Sequence, residues 1–158
     1  MNWIQKISND LYTLYHGTNK IFDSFDLSFA GARDWGDFGV GIYLSTRSSL
    51  ACDYAWESVK HNGGNPVVYV IKANLSNVAN FNELMKGIRS VGAPEEKDVS
   101  YMQSGLQTRP EIDSRAITEF MINHGFDSAR VGEQVVVYDP SLLSIDRVIS
   151  AEEAQLLP

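Results

Sequence analysis

Cysteine occurs once in 158 residues, at Cys52, so no disulfide can form within the chain. Metal-ligand spacing is missing as well. The three histidines, His16, His61 and His124, stand far apart, and no Cys/His cluster has the short spacings of a zinc site. The sequence therefore predicts no metal. Long apolar runs are absent too. The longest, residues 67–71 and 135–138, are strand-sized, against the roughly 20 residues that span a bilayer. The opening residues, MNWIQK, lack the apolar stretch of a signal peptide. These absences predict a soluble protein with no membrane partner, either cytoplasmic or delivered into a target cell without a cleaved leader. Basic charge is scarce: 13 Lys and Arg against 20 Asp and Glu leave a net charge of −7. Nucleic-acid binders draw much of their affinity from phosphate neutralisation, so this balance disfavours a DNA or RNA partner. Repeats, low-complexity tracts and Pro/Gly-rich linkers are also missing. What remains is one domain over residues 1–158, with its core at about 10–150.

What is present reads as many strands with interspersed helices, an α+β chain. Residues 11–16 (LYTLYH) are β-compatible and are followed by Gly17-Thr18-Asn19. A Gly-rich stretch, 31–41, leads into Ile42-Tyr43-Leu44-Ser45. From Ser48, a plausible N-cap, the period becomes helical: Leu50, Ala51, Tyr54, Ala55 and Val59 share a face, and Gly63-Gly64 ends the segment. Residues 67–73 read as an uninterrupted strand whose lack of polar alternation implies burial on both faces. A short helix at 82–88 precedes a long loop reaching about Pro110. Asp113 caps a further helix bearing Ala116, Ile117, Phe120 and Met121, with Gly125 as its stop. Residues 126–130 and 134–138 then form a hairpin around Gly132, and Asp139-Pro140 ends its second strand. Residues 151–158 suggest no function. This irregular order excludes a Rossmann βαβ array. Residues 38–42 (FGVGI) supply only two of that fingerprint's three glycines, and they precede a strand instead of opening a helix.

Three pieces carry the chemistry. The first is Tyr15-His16-Gly17-Thr18. The second is Phe38-Gly39-Val40-Gly41-Ile42-Tyr43-Leu44-Ser45, followed at helical spacing by Ser49 and Tyr54. The third is Glu133-Gln134-Val135-Val136-Val137-Tyr138-Asp139. In order and spacing they resemble the NAD-binding signature of the diphtheria-toxin and poly(ADP-ribose) polymerase branch of ADP-ribosyltransferases. The resemblance implies an α+β fold of two packed, mainly antiparallel sheets with a few flanking helices and an NAD-binding cleft.

It also implies a role for each residue. Nicotinamide is a flat cation that binds well between aromatic faces, here Tyr43 and Tyr54. Its carboxamide would bond the Gly17 backbone and the Ser49 hydroxyl. Gly17 would admit it closely for want of a Cβ. His16 would bond the adenosine ribose with Thr18 nearby, while Gly39 and Gly41 would let the chain turn into the strand presenting Tyr43. NAD⁺ is then the co-substrate. Cleavage at the nicotinamide–ribose bond passes through an oxocarbenium-like species, which a carboxylate at the ribose stabilises. The family places a glutamate there. Register from Tyr138-Asp139 puts Gln134 at that position and Glu133 one residue earlier, and neighbours on a strand face opposite ways. Either Gln134 meets the ribose without a charge, or a bulge beside Gly132 turns Glu133 inward. Glu111, Asp113 and Glu119 are substitute carboxylates.

These features predict a mono-ADP-ribosyltransferase acting on a protein acceptor, of toxin, effector or phage type. Residues 86–110 are the candidate acceptor region, through Lys86, Arg89, Lys97 and Arg109. Two alternatives stay open: a catalytically impaired NAD-binding or protein-interaction module of the same fold, and an NAD⁺ glycohydrolase. Singly, the residues have blander readings. Tyr54 lies on its helix's apolar stripe, where core packing explains it equally well, and His16 could be a partly buried polar residue at a strand end.

Overall fold

The computed structural model describes residues 11–26, 37–91 and 114–157. Among these the chain runs β1 (Leu11–Thr18), β2 (Ile42–Ser45), α1 (Ser48–Asn62), β3 (Val67–Asn74), β4 (Val78–Ala79), α2 (Phe81–Ser90), α3 (Ser114–Asn123), β5 (Ser128–Val131), β6 (Gln134–Val137), a 3₁₀ turn (Pro140–Leu142), β7 (Leu143–Ser150) and α4 (Ala151–Gln155). The α+β class is as the sequence implies. The strands lie in the order β4-β5-β6-β2-β1-β3-β7, antiparallel except for β4 beside β5.

One seam divides this sheet. β1 and β2 share a single pair, Tyr15 with Ser45. Past it, His16, Gly17 and Thr18 stay paired with Tyr69, Val68 and Val67 of β3. Ile42, Tyr43 and Leu44 stay paired with Val137, Val136 and Val135 of β6. The two expected sheets are thus the halves of one, joined at a point. Their inner faces share a core cluster: Leu14, Tyr69, Ile71 and Ala73 from one half, Ile42, Leu44, Val135 and Val137 from the other. Alternation explains the division, since successive strand residues face opposite ways. Tyr43 and Val136 turn to the outer face and join the cluster beneath α2 and α3, with Leu84, Ile88, Ile117 and Met121.

Helix α1 packs on the outer face of β1 through small residues, Ala51, Cys52 and Ala55, all fully buried. Its N-cap is Arg47, without a side-chain bond, and Ser48 is the buried first residue of the helix, not its cap. Gly63 ends it at φ 75°, donating its N–H to Val59. Helix α2 is longer than the expected 82–88, because Asn80 and Glu83 close a capping box at its start. At the end of α3, Gly125 has φ 87°. Its expected cap, Asp113, lies outside the described residues.

The hairpin forms by regular pairing from Ser128–Val137 to Val131–Gln134 around Gly132 and Glu133, so the bulge that would turn Glu133 inward is not there. As expected, the second hairpin strand ends before Asp139-Pro140, and after the 3₁₀ turn the chain rejoins the sheet. It returns as β7 on the edge beside β3, with a register shift at Val70/Ile71. The last residues then fold as α4, whose Ala151 and Ala154 pack under α1. Among the described residues, no helix is long and apolar enough to cross a membrane.

Candidate active site

Where β1 and β2 part, a cleft of about 820 Å³ opens. Its walls include Tyr15, His16, Gly17 and Thr18 of β1, Ile42 to Ser45 of β2, Gln134 of β6, and Tyr54, Glu57, Ser58 and His61 of α1. The segment after β1, including Phe22 and Phe25, forms a further side.

His16 spans the seam. Its Nδ1 lies 2.9 Å from the carbonyl oxygen of Tyr43, to which it donates. A carbonyl oxygen only accepts, so Nδ1 carries a proton in this arrangement. The imidazole meets the ring of Phe25 edge-on, with centroids 5.2 Å apart. Tyr43 is held from both sides of its phenol, donating to Gly39 O at 2.7 Å and accepting from Phe38 N–H at 3.2 Å. Next to it, buried Tyr138 donates to Phe38 O at 3.0 Å. Burial pushes its phenol far up, so it remains a donor. These bonds fix the turn entering β2.

On the helix, Tyr54 is 44% exposed, so packing does not account for it, and it lines the cleft. Gln134 is half-buried on the opposite wall, paired with Ser45. Glu133 sits in the hairpin turn outside the lining. Its carboxylate meets the Thr46 hydroxyl and lies 3.6 Å from the Arg130 guanidinium.

A family model for the ADP-ribosyltransferase in polyvalent proteins matches residues 10–152 of this chain. The chain belongs to that family. A solved chain from the M. tuberculosis MbcT–MbcA toxin–antitoxin complex superposes with a TM-score of 0.51 at 14% identity, covering 90% of this chain and 86% of that one. At that identity the likeness shows the fold. No curated protein matches in sequence.

Of the residues singled out in the sequence, the cleft gathers His16, Gly17, Thr18, Gly41, Tyr43, Tyr54 and Gln134. Ser49 is exposed and Gly39 buried, and neither is among the described lining residues. Both glycines before β2 answer to packing. At Gly39, φ is 107° and a Cβ would meet Thr118 Oγ1 at 2.7 Å, while at Gly41 it would meet Val137 O at 2.7 Å. Gly17 answers to packing too, since a Cβ there would fall 1.7 Å from Ala51 O of α1. Glu119 is exposed on α3 and does not line the cleft. Lys86 and Arg89 are exposed on α2. Lys97, Arg109, Glu111 and Asp113 lie outside the described residues.

The cleft also holds residues that no motif marks. Asp26 and Glu57 are its carboxylates among the described residues, and Phe22 and Phe25 are its added aromatics. Glu57 follows Tyr54 by three positions, the spacing that places side chains on one helix face. Phe22 and Phe25 carry no periodic signal, because a buried residue of a distant strand places them.

Proposed function

We propose that this family member is a mono-ADP-ribosyltransferase that cleaves NAD⁺ and passes its ADP-ribose to a protein. The observation that carries the proposal is the single-pair seam, which assembles His16, Tyr43, Tyr54 and Gln134 around one cavity. The lining fits the co-substrate: aromatic rings suit a cationic pyridinium, and the volume lies within the range of small-molecule sites. NAD⁺ brings its own leaving group, a cationic ring that departs neutral, so the protein need not supply an acid. Tyr54 covers the ring from the helix and Tyr43 borders it from β2. His16 holds the distal ribose, its ring oriented by the Nδ1 bond to Tyr43 O. Gln134 accepts from or donates to the proximal ribose hydroxyl. A neutral amide there supports transfer of one unit more readily than chain growth, which favours the mono reading.

Gln134 also favours a second reading, in which the cleft binds NAD⁺ without turning it over. Nicotinamide release separates the two. For the enzyme, release is expected from the intact protein and is lost in Tyr54→Ala. Because Tyr54 is 44% exposed, that variant should keep its fold within about 0.5 kcal/mol. NAD⁺ binding without release, with or without acceptor proteins, would overturn the transferase reading in favour of the module. Free ADP-ribose as the sole product in a lysate would mark a glycohydrolase.

A further inference from the structure

Residues 20–26 follow β1 without belonging to a strand or helix, yet Lys20, Phe22, Phe25 and Asp26 line the cleft. One side chain of the neighbouring strand holds this segment. Tyr69 of β3, the register partner of His16, is 0% exposed. Its hydroxyl accepts from Phe22 N–H at 2.6 Å and lies 3.1 Å from Lys20 O and 3.3 Å from Phe22 O, either of which can take its proton. Its ring stacks on Phe22, with centroids 4.4 Å apart and planes within 8°. Phe25 then packs edge-on against Phe22 at 5.0 Å and against His16 at 5.2 Å. Burial pushes the phenol's pKa up, which keeps the proton that these contacts need.

We propose that Tyr69 is a positioning residue for the purine-ribose half of the dinucleotide: it pins residues 20–25 so that Phe22, Phe25 and His16 form one aromatic wall. The inference rests on the reading of the cleft as an NAD⁺ site. It follows from the strand order, in which Gln134 on β6 and Tyr43 on β2 lie to one side of His16 on β1, and Tyr69 on β3 lies to the other. The physical reason for a buried post is entropy. A segment without ladder hydrogen bonds would otherwise sample many conformations, and a ligand would have to order it on binding.

The test is Tyr69→Phe, which keeps the ring and its stack but removes the hydroxyl. NAD⁺ turnover and binding of AMP and of nicotinamide are measured on the whole chain beside the parent. The expected result is a rise of about 5- to 10-fold in KM for NAD⁺ and in Kd for AMP, the scale of one or two lost hydrogen bonds. Nicotinamide affinity and kcat should stay within about twofold, a split that mere loss of stability would not produce. Phe22→Leu, which breaks the stack and leaves the hydroxyl, should shift the same two constants. Unchanged KM and AMP affinity in both variants would overturn the inference. So would equal loss of AMP and nicotinamide binding. A parent protein that binds AMP but never NAD⁺ would instead sink the transferase reading, and the two failures are distinguishable.

Discussion

Replacing Gly17 by alanine would test how the cleft is built. A Cβ at this position would lie 1.7 Å from the carbonyl oxygen of Ala51, 2.7 Å from its carbonyl carbon and 2.9 Å from the nitrogen of Ala55. Ordinary contact begins at 3.4 Å, so the shortest of these is about half of what a methyl group needs. All three atoms are backbone, and no rotamer change relieves them. The helix and the strand would have to separate by well over 1 Å, about the misplacement that can cost a hundredfold in rate. Overpacking costs about 1–3 kcal/mol, and a clash with main chain belongs at the top of that range. For a chain of this size each kcal/mol lowers Tm by about 2–4 °C, so Tm should fall by about 6–12 °C. Circular dichroism melts at matched scan rates measure the first effect. Nicotinamide release below the melt measures the second, because α1 carries Tyr54 and β1 carries His16. A variant melting within about 2 °C of the parent would refute the packing argument, and normal stability with lost NAD⁺ binding would return Gly17 to the role of ligand contact.

On the proposed transferase reading, Gln134→Glu should raise nicotinamide release by up to about a hundredfold, since it would place a charge beside the developing cation. Glu133→Gln should leave release unchanged, because its carboxylate meets Thr46 and Arg130 outside the cleft; stopped-time assays of the two variants side by side decide it. Cys52 is fully buried, donates to Ala151 O at 3.3 Å, and has its thiol pKa pushed up by desolvation. A raised pKa means less thiolate at any given pH, so thiol reagents at pH 8 should label it only at the rate of unfolding, read by mass spectrometry. Asn80→Ala should cost about 1 kcal/mol through loss of the α2 capping box, checked by urea denaturation with an unchanged m-value.

The parts of the candidate cleft legible in the sequence are the lining residues carried by regular elements. His16, Tyr43, Tyr54 and Gln134 stand in a spaced pattern because the strands and helix that carry them have fixed periods. Gly17 and Gly41 are visible as glycines, but their reason is not: each clears another part of the backbone, and that approach is tertiary. Tyr69 reads as one more apolar position in an uninterrupted strand. Its role depends on the segment at residues 20–22 folding back over it. Strand β7 escapes the pattern for a different reason. As an edge strand it carries Asp146 and Arg147, and its register slips by one between Val70–Arg147 and Ile71–Ile145, which breaks the alternation that would announce it. The N-cap of α1 misleads because Ser48 is a favoured capping residue that sits inside the helix, where its small buried side chain belongs to packing.

The seam between β1 and β2 bears on how the two halves can move. A ladder resists shear at every rung, but here there is one rung, and the grip across the gap comes from side chains: the His16 bond to Tyr43 O and the core cluster that holds Leu14, Leu44 and Val135. The aperture is therefore set by side chains more than by a peptide ladder. Trimming a methylene from that trio would alter the gape of the binding mouth while every strand kept its partners.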